Sequence, residues 1–168
     1  MQTKTLILAA LAAVAHARFG QEGLVQAAVQ ALSDFGAPGA AGTLAGQTPG
    51  VLLAGANACA KLSLADDIVT QLGDDAAVLA AAAQLVAAEK NFNPSAQSIP
   101  TLCSDASLPA TEALRGIVPL VDPAVVGSDV QNTNSAASLK AAFAANGDSV
   151  ADVSTAQGFS NFTAQANA

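Results

Sequence analysis

Alanine fills 42 of the 168 positions, and the chain has neither Trp nor Tyr. Alanine loses no side-chain entropy in a helix and favours it over every other regular structure. The same alanines leave little bulk for a core, since the aromatic side chains are six Phe. Hydrophobic residues make up 52% and mean hydropathy is +0.43, which looks membrane-like until the alanines are set aside. The expected fold is therefore all-α: a small helical bundle with long Pro- and Gly-bearing loops.

Residues 1–17 read as a secretory signal peptide. Lys4 supplies the positive start, Leu6 to Ala15 (LILAALAAVA) the apolar stretch, and Ala15-His16-Ala17 the small-x-small cleavage site. A membrane span needs about 20 apolar residues, and Arg18 closes this run too early. Val78–Ala88 is interrupted by Gln84, and the C-terminus (NFTAQANA) lacks the hydrophobic tail of a lipid-anchor signal. The expectation is a single secreted helical domain over residues 18–168, extracellular or associated with a cell wall, with no membrane span. Processing would leave 151 residues with 5 basic and 13 acidic side chains, a net charge of about −8. Leu, Ile, Val and Phe are then 37 of 151, just above the range where disorder is expected. Cys59 and Cys103 remain, and in an oxidising compartment they have only each other to pair with.

Several helices are legible. Leu24, Val25, Ala28, Val29, Leu32 and Phe35 share one face over 23–35. Residues 36–56 (GAPGAAGTLAGQTPGVLLAGA) read as a Gly/Ala/Pro-rich connection anchored by Val51, Leu52 and Leu53. Ser63 opens a short helix ended by Gly73, and Asp74 caps the strongest helix, Asp75 to Lys90. Residues 91–109 carry three prolines and read as a loop, after which Pro109 starts a helix to about Gly116. Ser135 to Ala145 places Leu139 and Phe143 at i, i+4, and a last helix runs from Ser149 to Gln157 behind Asp148. Residues 158–168 read as a flexible tail. No strand alternation or fixed-period repeat stands out.

The processed chain contains no His, which removes Ser-His-Asp and Cys-His chemistry and His metal ligands. No catalytic residue, metal site or cofactor is assigned. Gly147-Asp148-Ser149 looks like the start of a hydrolase block, but that block needs a His base; a helix stop and cap is the plainer reading. The glycines of 36–42 follow no strand and precede no Gly-Lys-Ser/Thr, so they are no phosphate cradle. Glu89, Glu112, Asp105 and Asp122 could pair as acid and base of a glycosidase, though sugar rings usually stack on the Trp or Tyr that are absent. Glu89 and Glu112 are the best of these, and Glu89 is expected to pair along its helix or face solvent. Asp66-Asp67 and Asp74-Asp75 match no calcium loop and read as dipole-favoured helix starts. Five dispersed basic residues cannot neutralise a phosphate track, so nucleic acid is excluded as a partner. Asn161-Phe162-Thr163 is an N-glycosylation sequon, whereas Asn57-Ala58-Cys59 is the rarer cysteine form and a poor one if Cys59 is bridged.

From Asn57 to Thr163 the wording resembles small secreted proteins of filamentous ascomycete fungi. It is carried by AEKNFNPSAQSIPTLCSDASLPATEALRGIVPLVDPAVVGSDVQNTNS and by QGFSNFT near the end. A looser likeness is to the hydrophobic-surface-binding and cell-wall galactomannoprotein group, secreted and helical. The first resemblance brings no catalytic residues; the signal peptide, the single disulfide, the sequon and the lack of catalytic groups support the expectation of a non-enzymatic secreted glycoprotein or effector candidate acting on a cell-wall or host surface component. The second implies binding of apolar surfaces or lipids. Ala-rich helices with Leu/Val faces can leave an apolar cavity between them, so the alternative expectation is a carrier of lipid or another apolar small molecule, with Leu79, Leu85, Val86 and Phe143 as the candidates to touch it. The competing expectation is that those four residues simply build the core.

Overall fold

The computed structural model describes residues 22–95 and 97–167. The expected signal peptide of residues 1–17 lies outside them. The described chain is mostly helical, as its composition implies. Its first half is four helices: α1 (Glu22–Gln30), α2 (Ala40–Val51), α3 (Ala60–Leu72) and α4 (Ala76–Ala87). Each packs on the next and α4 returns to α1, which closes a four-helix bundle. The interior is filled by medium-sized side chains, among them Val29, Leu44, Leu62, Ile68, Val78 and Leu85.

Residues 36–56 are not the connection expected, because α2 occupies most of them. Gly42, Gly46, Pro49 and Gly50 hide this helix from propensity, but Ala41, Leu44, Ala45 and Thr48 form one buried stripe. Tertiary burial of that stripe outweighs poor propensity. Its small residues let α2 lie close to α1, so close that Gly42 sits against the Gln30 side chain. Leu52 is buried as the anchor, whereas Leu53 is exposed. In α3 the helix starts at Ala60, one turn before the Ser63 expected to cap it, because Cys59 is tethered there. Asp75, not Asp74, caps α4, accepting 2.9 Å from the Ala77 N–H.

The second half builds a smaller core on top of the bundle. β1 (Thr101–Cys103) and β2 (Thr163–Gln165) pair in parallel, Leu102 opposite Ala164, beside α5 (Ser128–Ser138) and α6 (Val150–Ala156). Leu102, Val121, Val125, Ala151 and Phe159 are its buried members, with Phe92 and Phe162 packed against them. The Cys59–Cys103 disulfide, Cα atoms 4.7 Å apart, ties α3 to β1, with both cysteines buried in the first core.

Four further expectations are corrected here. The tail expected at 158–168 is not loose over its described residues, 158–167: Phe159 is buried, β2 is paired, and Asn57 Nδ2 donates to Ala166 O at 3.0 Å. The helix expected from Pro109 is one 3₁₀ turn, Glu112–Leu114. Asp66 from α3 takes the Ala110 and Thr111 N–H groups at 2.7 and 2.8 Å, which holds that backbone extended. The helix expected at Ser135–Ala145 runs instead from Ser128 to Ser138. Its inward face is polar, Ser128, Gln131, Ser135 and Ser138, and all but Ser135 hydrogen-bond the apolar 118–123 segment. Gln131 Nε2 reaches Pro119 O at 2.7 Å, and Asn132 exchanges two bonds with Val121. Leu139 and Phe143 therefore never meet as helix neighbours. Finally, Ser149 rather than Asp148 caps α6, forming a reciprocal capping box with Asp152.

Candidate functional site

Two places in the fold gather polar chemistry. The first begins at the C-terminal end of α4, which stops at Ala87, three residues before the Lys90 expected to close it. The last carbonyls of a helix have no partner within it. Here Lys61 of α3 supplies one, its Nζ donating to Val86 O at 2.8 Å and also to Ala88 O. The Leu120 N–H takes Ala87 O at 2.9 Å. With these carbonyls captured from outside, the chain turns extended at Ala88.

Glu89 follows directly and is 8% exposed, so it neither faces solvent nor pairs along a helix as expected. Its Oε2 has no hydrogen-bond partner within the protein. Burial pushes the carboxyl up to about 8; the Asp122 charge adds to the rise and Lys61 opposes it. Burial likewise pulls the Lys61 amine down to about 7, with Glu89 opposing and Lys90 assisting. Lys90 is lowered by burial as well, and its Nζ donates to Ala54 O at 2.7 Å. Lys61, Lys90, Asp122 and Thr101 line a cavity of about 10 Å³, beside Cys103. That is room for roughly one water molecule, and the buried Thr101 Oγ1 on its wall is also unpartnered.

A neutral lysine amine is a base or nucleophile, and a protonated glutamic acid is an acid. The geometry restricts both. A neutral amine has two hydrogens, and Val86 O and Ala88 O engage both. The adjoining cavity is far smaller than the roughly 300 Å³ that small-ligand pockets begin at. In this conformation Lys61 holds a helix end, and the cavity beside it has no space for an organic substrate.

The second place is an open groove of about 860 Å³ bordered by Ser107, Glu112, Arg115, Phe143 and Asn146. Arg115 braces it, donating from Nη1 to Pro109 O at 2.9 Å and from Nη2 to Ala106 O and Asp148 O at 2.8 and 3.2 Å. Gly116, at φ +79°, passes directly beneath the Phe143 backbone, and the Phe143 N–H donates to Gly116 O at 3.1 Å. A Cβ at Gly116 would overlap the Phe143 carbonyl, so this crossing requires glycine. Asp105 is held below the usual carboxylate range by the Ser107 hydroxyl, then by the Ser107 N–H.

The four carboxylates considered as a hydrolase set are thus divided. Asp122 lines the small cavity and its charge raises the Glu89 carboxyl, whereas Glu112 lines the groove and Asp105 bonds its rim at Ser107. The four apolar-ligand candidates are divided too. Leu85 and Val86 are fully buried in the bundle, Leu79 is half-buried on the same helix, and Phe143 stands apart in the groove. Asn161 lies at the surface between α5 and β2, its Nδ2 donating to Val126 O at 3.1 Å. Lys61, Thr101 and Gln131 escaped the sequence reading. For Lys61 a signal existed: it sits beside Leu62 and on the same stripe as Ala65 and Ile68, at a position a surface lysine does not take. Compared with protein-family profiles, curated proteins and solved structures, the chain matches none.

Proposed function

We propose that the chain is a non-enzymatic secreted protein of a fungal cell wall, cell surface or host interface, whose partner is a component of that surface. The observation that carries this reading is the Cys59–Cys103 bridge, which joins α3 to β1 across a separation of 44 residues. Bridges of this kind persist in oxidising compartments, in agreement with the leader-like start of the sequence. The two most perturbed groups support the non-catalytic half of the reading: Lys61 opens only onto a water-sized cavity, and Glu89 is buried. The groove beneath Phe143 offers the surface partner an accessible docking place.

A carrier of lipid or another apolar ligand is the alternative. One observation favours it: Phe143 borders a groove within the size range of small-ligand sites. Against it stand Leu85 and Val86, whose burial in the bundle is accounted for by packing alone. The test is a panel of polysaccharide and ester substrates on purified protein, with mass spectrometry for co-purifying lipid. No turnover and no lipid is the expected result. Turnover lost in Glu89→Gln or Glu112→Gln overturns the non-enzyme reading, and stoichiometric lipid moves the assignment to the carrier.

A further inference from the structure

The sequon Asn161-Phe162-Thr163 lies on ordered backbone, which changes what a sugar attached there would do. On one side Phe159 is buried, and its ring stands 5.7 Å from that of Phe162. On the other, Thr163 opens β2 and its N–H donates to Pro100 O at 2.8 Å. Asn161 is therefore held at one point. That point adjoins the most exposed large apolar residue described, Val126 at 79%, through the bond from Nδ2 to Val126 O. Val130, 41% exposed on the first turn of α5, follows it, and its Cγ1 packs beside Gly158. Residues 158–161 thus run along a small apolar surface that no described residue covers completely.

We propose that Asn161 carries an N-linked glycan whose first sugars cover Val126 and Val130. The proposal rests on the secreted reading above. An amide nitrogen has two hydrogens. Transfer from a lipid diphosphate–linked oligosaccharide forms the Nδ2–C1 bond and breaks the bond from C1 to the donor's phosphate oxygen. The lipid diphosphate leaves, and the displaced Nδ2 proton passes to a base of the transferase. One N–H remains and goes on donating to Val126 O, so glycan and native contact coexist. A glycan rooted on a mobile tail would sweep solvent, whereas one rooted here begins at the edge of the valine surface. The cysteine-form sequon is a built-in control. Asn57 Nδ2 also donates to a backbone carbonyl, Ala166 O, so the difference lies at the third position, where Cys59 Sγ is in the bridge and no thiol or hydroxyl is free.

The experiment secretes the full chain from a yeast host and maps glycosylated sites by enzymatic release of glycans in isotopically heavy water. Wild type, Thr163→Ala, and Thr163→Ala with Val126→Ser and Val130→Ser are compared by hydrophobic-dye fluorescence and size-exclusion chromatography. Enzymatically deglycosylated wild type is run beside them, so the comparison stands even if a variant folds poorly. Expected are a glycan on Asn161 and none on Asn57. Loss of the glycan should then raise dye fluorescence and shift elution earlier with concentration, and the two serines should reverse both. Secreted protein with bare Asn161 overturns the proposal and leaves the extracellular reading intact, as does a glycan whose removal changes neither dye nor elution. Failure of the chain to reach the medium overturns both.

Discussion

Replacing Glu89 with Gln keeps the size of a buried side chain and removes its ionisation. In the wild type the carboxyl is held at about 8 instead of 4.5, chiefly by burial and then by Asp122. Between those values the folded chain keeps a proton that the unfolded chain has released, so stability falls as pH rises. The slope is about 1.4 kcal/mol per pH unit, and across the whole window the loss reaches at most about 5 kcal/mol. The share due to Glu89 is therefore fully present below pH 4.5 and gone above about 8. Lys61 has the opposite sign. Its amine is lowered from 10.5 to about 7, so its share is present above 10.5 and lost as pH falls through about 7. The two together place a stability minimum near neutrality, with gains toward acid and toward alkali. Since small domains hold about 5–15 kcal/mol in all, this dip is a large fraction of the total. Urea unfolding followed by far-ultraviolet circular dichroism, at about pH 5 and about pH 7.5, measures it. The Glu89→Gln protein should lose the acid preference, and wild type should drop roughly 3 kcal/mol further than the variant between the two conditions. Comparing the two proteins cancels the remaining carboxylates. Parallel pH profiles would mean that Glu89 is ionised in the fold and reached by water, and would refute this reasoning.

Three other substitutions probe the packing. Cys103→Ser opens a 44-residue loop and should cost about 4 kcal/mol by loop entropy, with Cys59 left open to intermolecular pairing; an unchanged thermal midpoint would contradict this. Leu85→Asp buries a charge at a position with 0% exposure and should unfold the domain, a loss of several kcal/mol, whereas near-wild-type melting would place that face at the surface. Gln131→Leu removes the donor to Pro119 O and leaves a buried carbonyl unpaired at a cost of about 1–3 kcal/mol; urea midpoints would register it, and no change would mean that α5 is held by other contacts.

What could be read from the sequence was whatever depends on near neighbours. α4 announced itself through alanine propensity and an apolar stripe, and its cap was missed by one residue because Asp74 and Asp75 are chemically identical candidates. α1 and α3 followed from the same periodicity. α2 was lost because Gly and Pro dominate its composition, although Ala41, Leu44, Ala45 and Thr48 keep the helical spacing. α5 was displaced by seven residues because its buried side is polar, and hydrophobic periodicity cannot report a face that docks through hydrogen bonds. β1 and β2 are three residues each, and their partners lie about sixty positions apart, so neither carries a local signal. The groove depends on the same non-local closure, because Gly116 meets Phe143 only after α5 has folded back. Glu89 was singled out as a carboxylate, yet its environment could not be foreseen. The groups that shift it, Asp122 and Lys61, come from 33 positions after it and 28 before it in the chain.

Fractionation of a tagged chain in a filamentous fungus, followed by non-reducing peptide mapping, bears most directly on the proposed role. The protein should be recovered from the wall or the medium, beginning at Arg18, with Cys59 and Cys103 in one cross-linked peptide. Protein retained inside the cell, with residues 1–17 attached and both thiols free, would contradict the assignment to the cell surface and remove its main physical support.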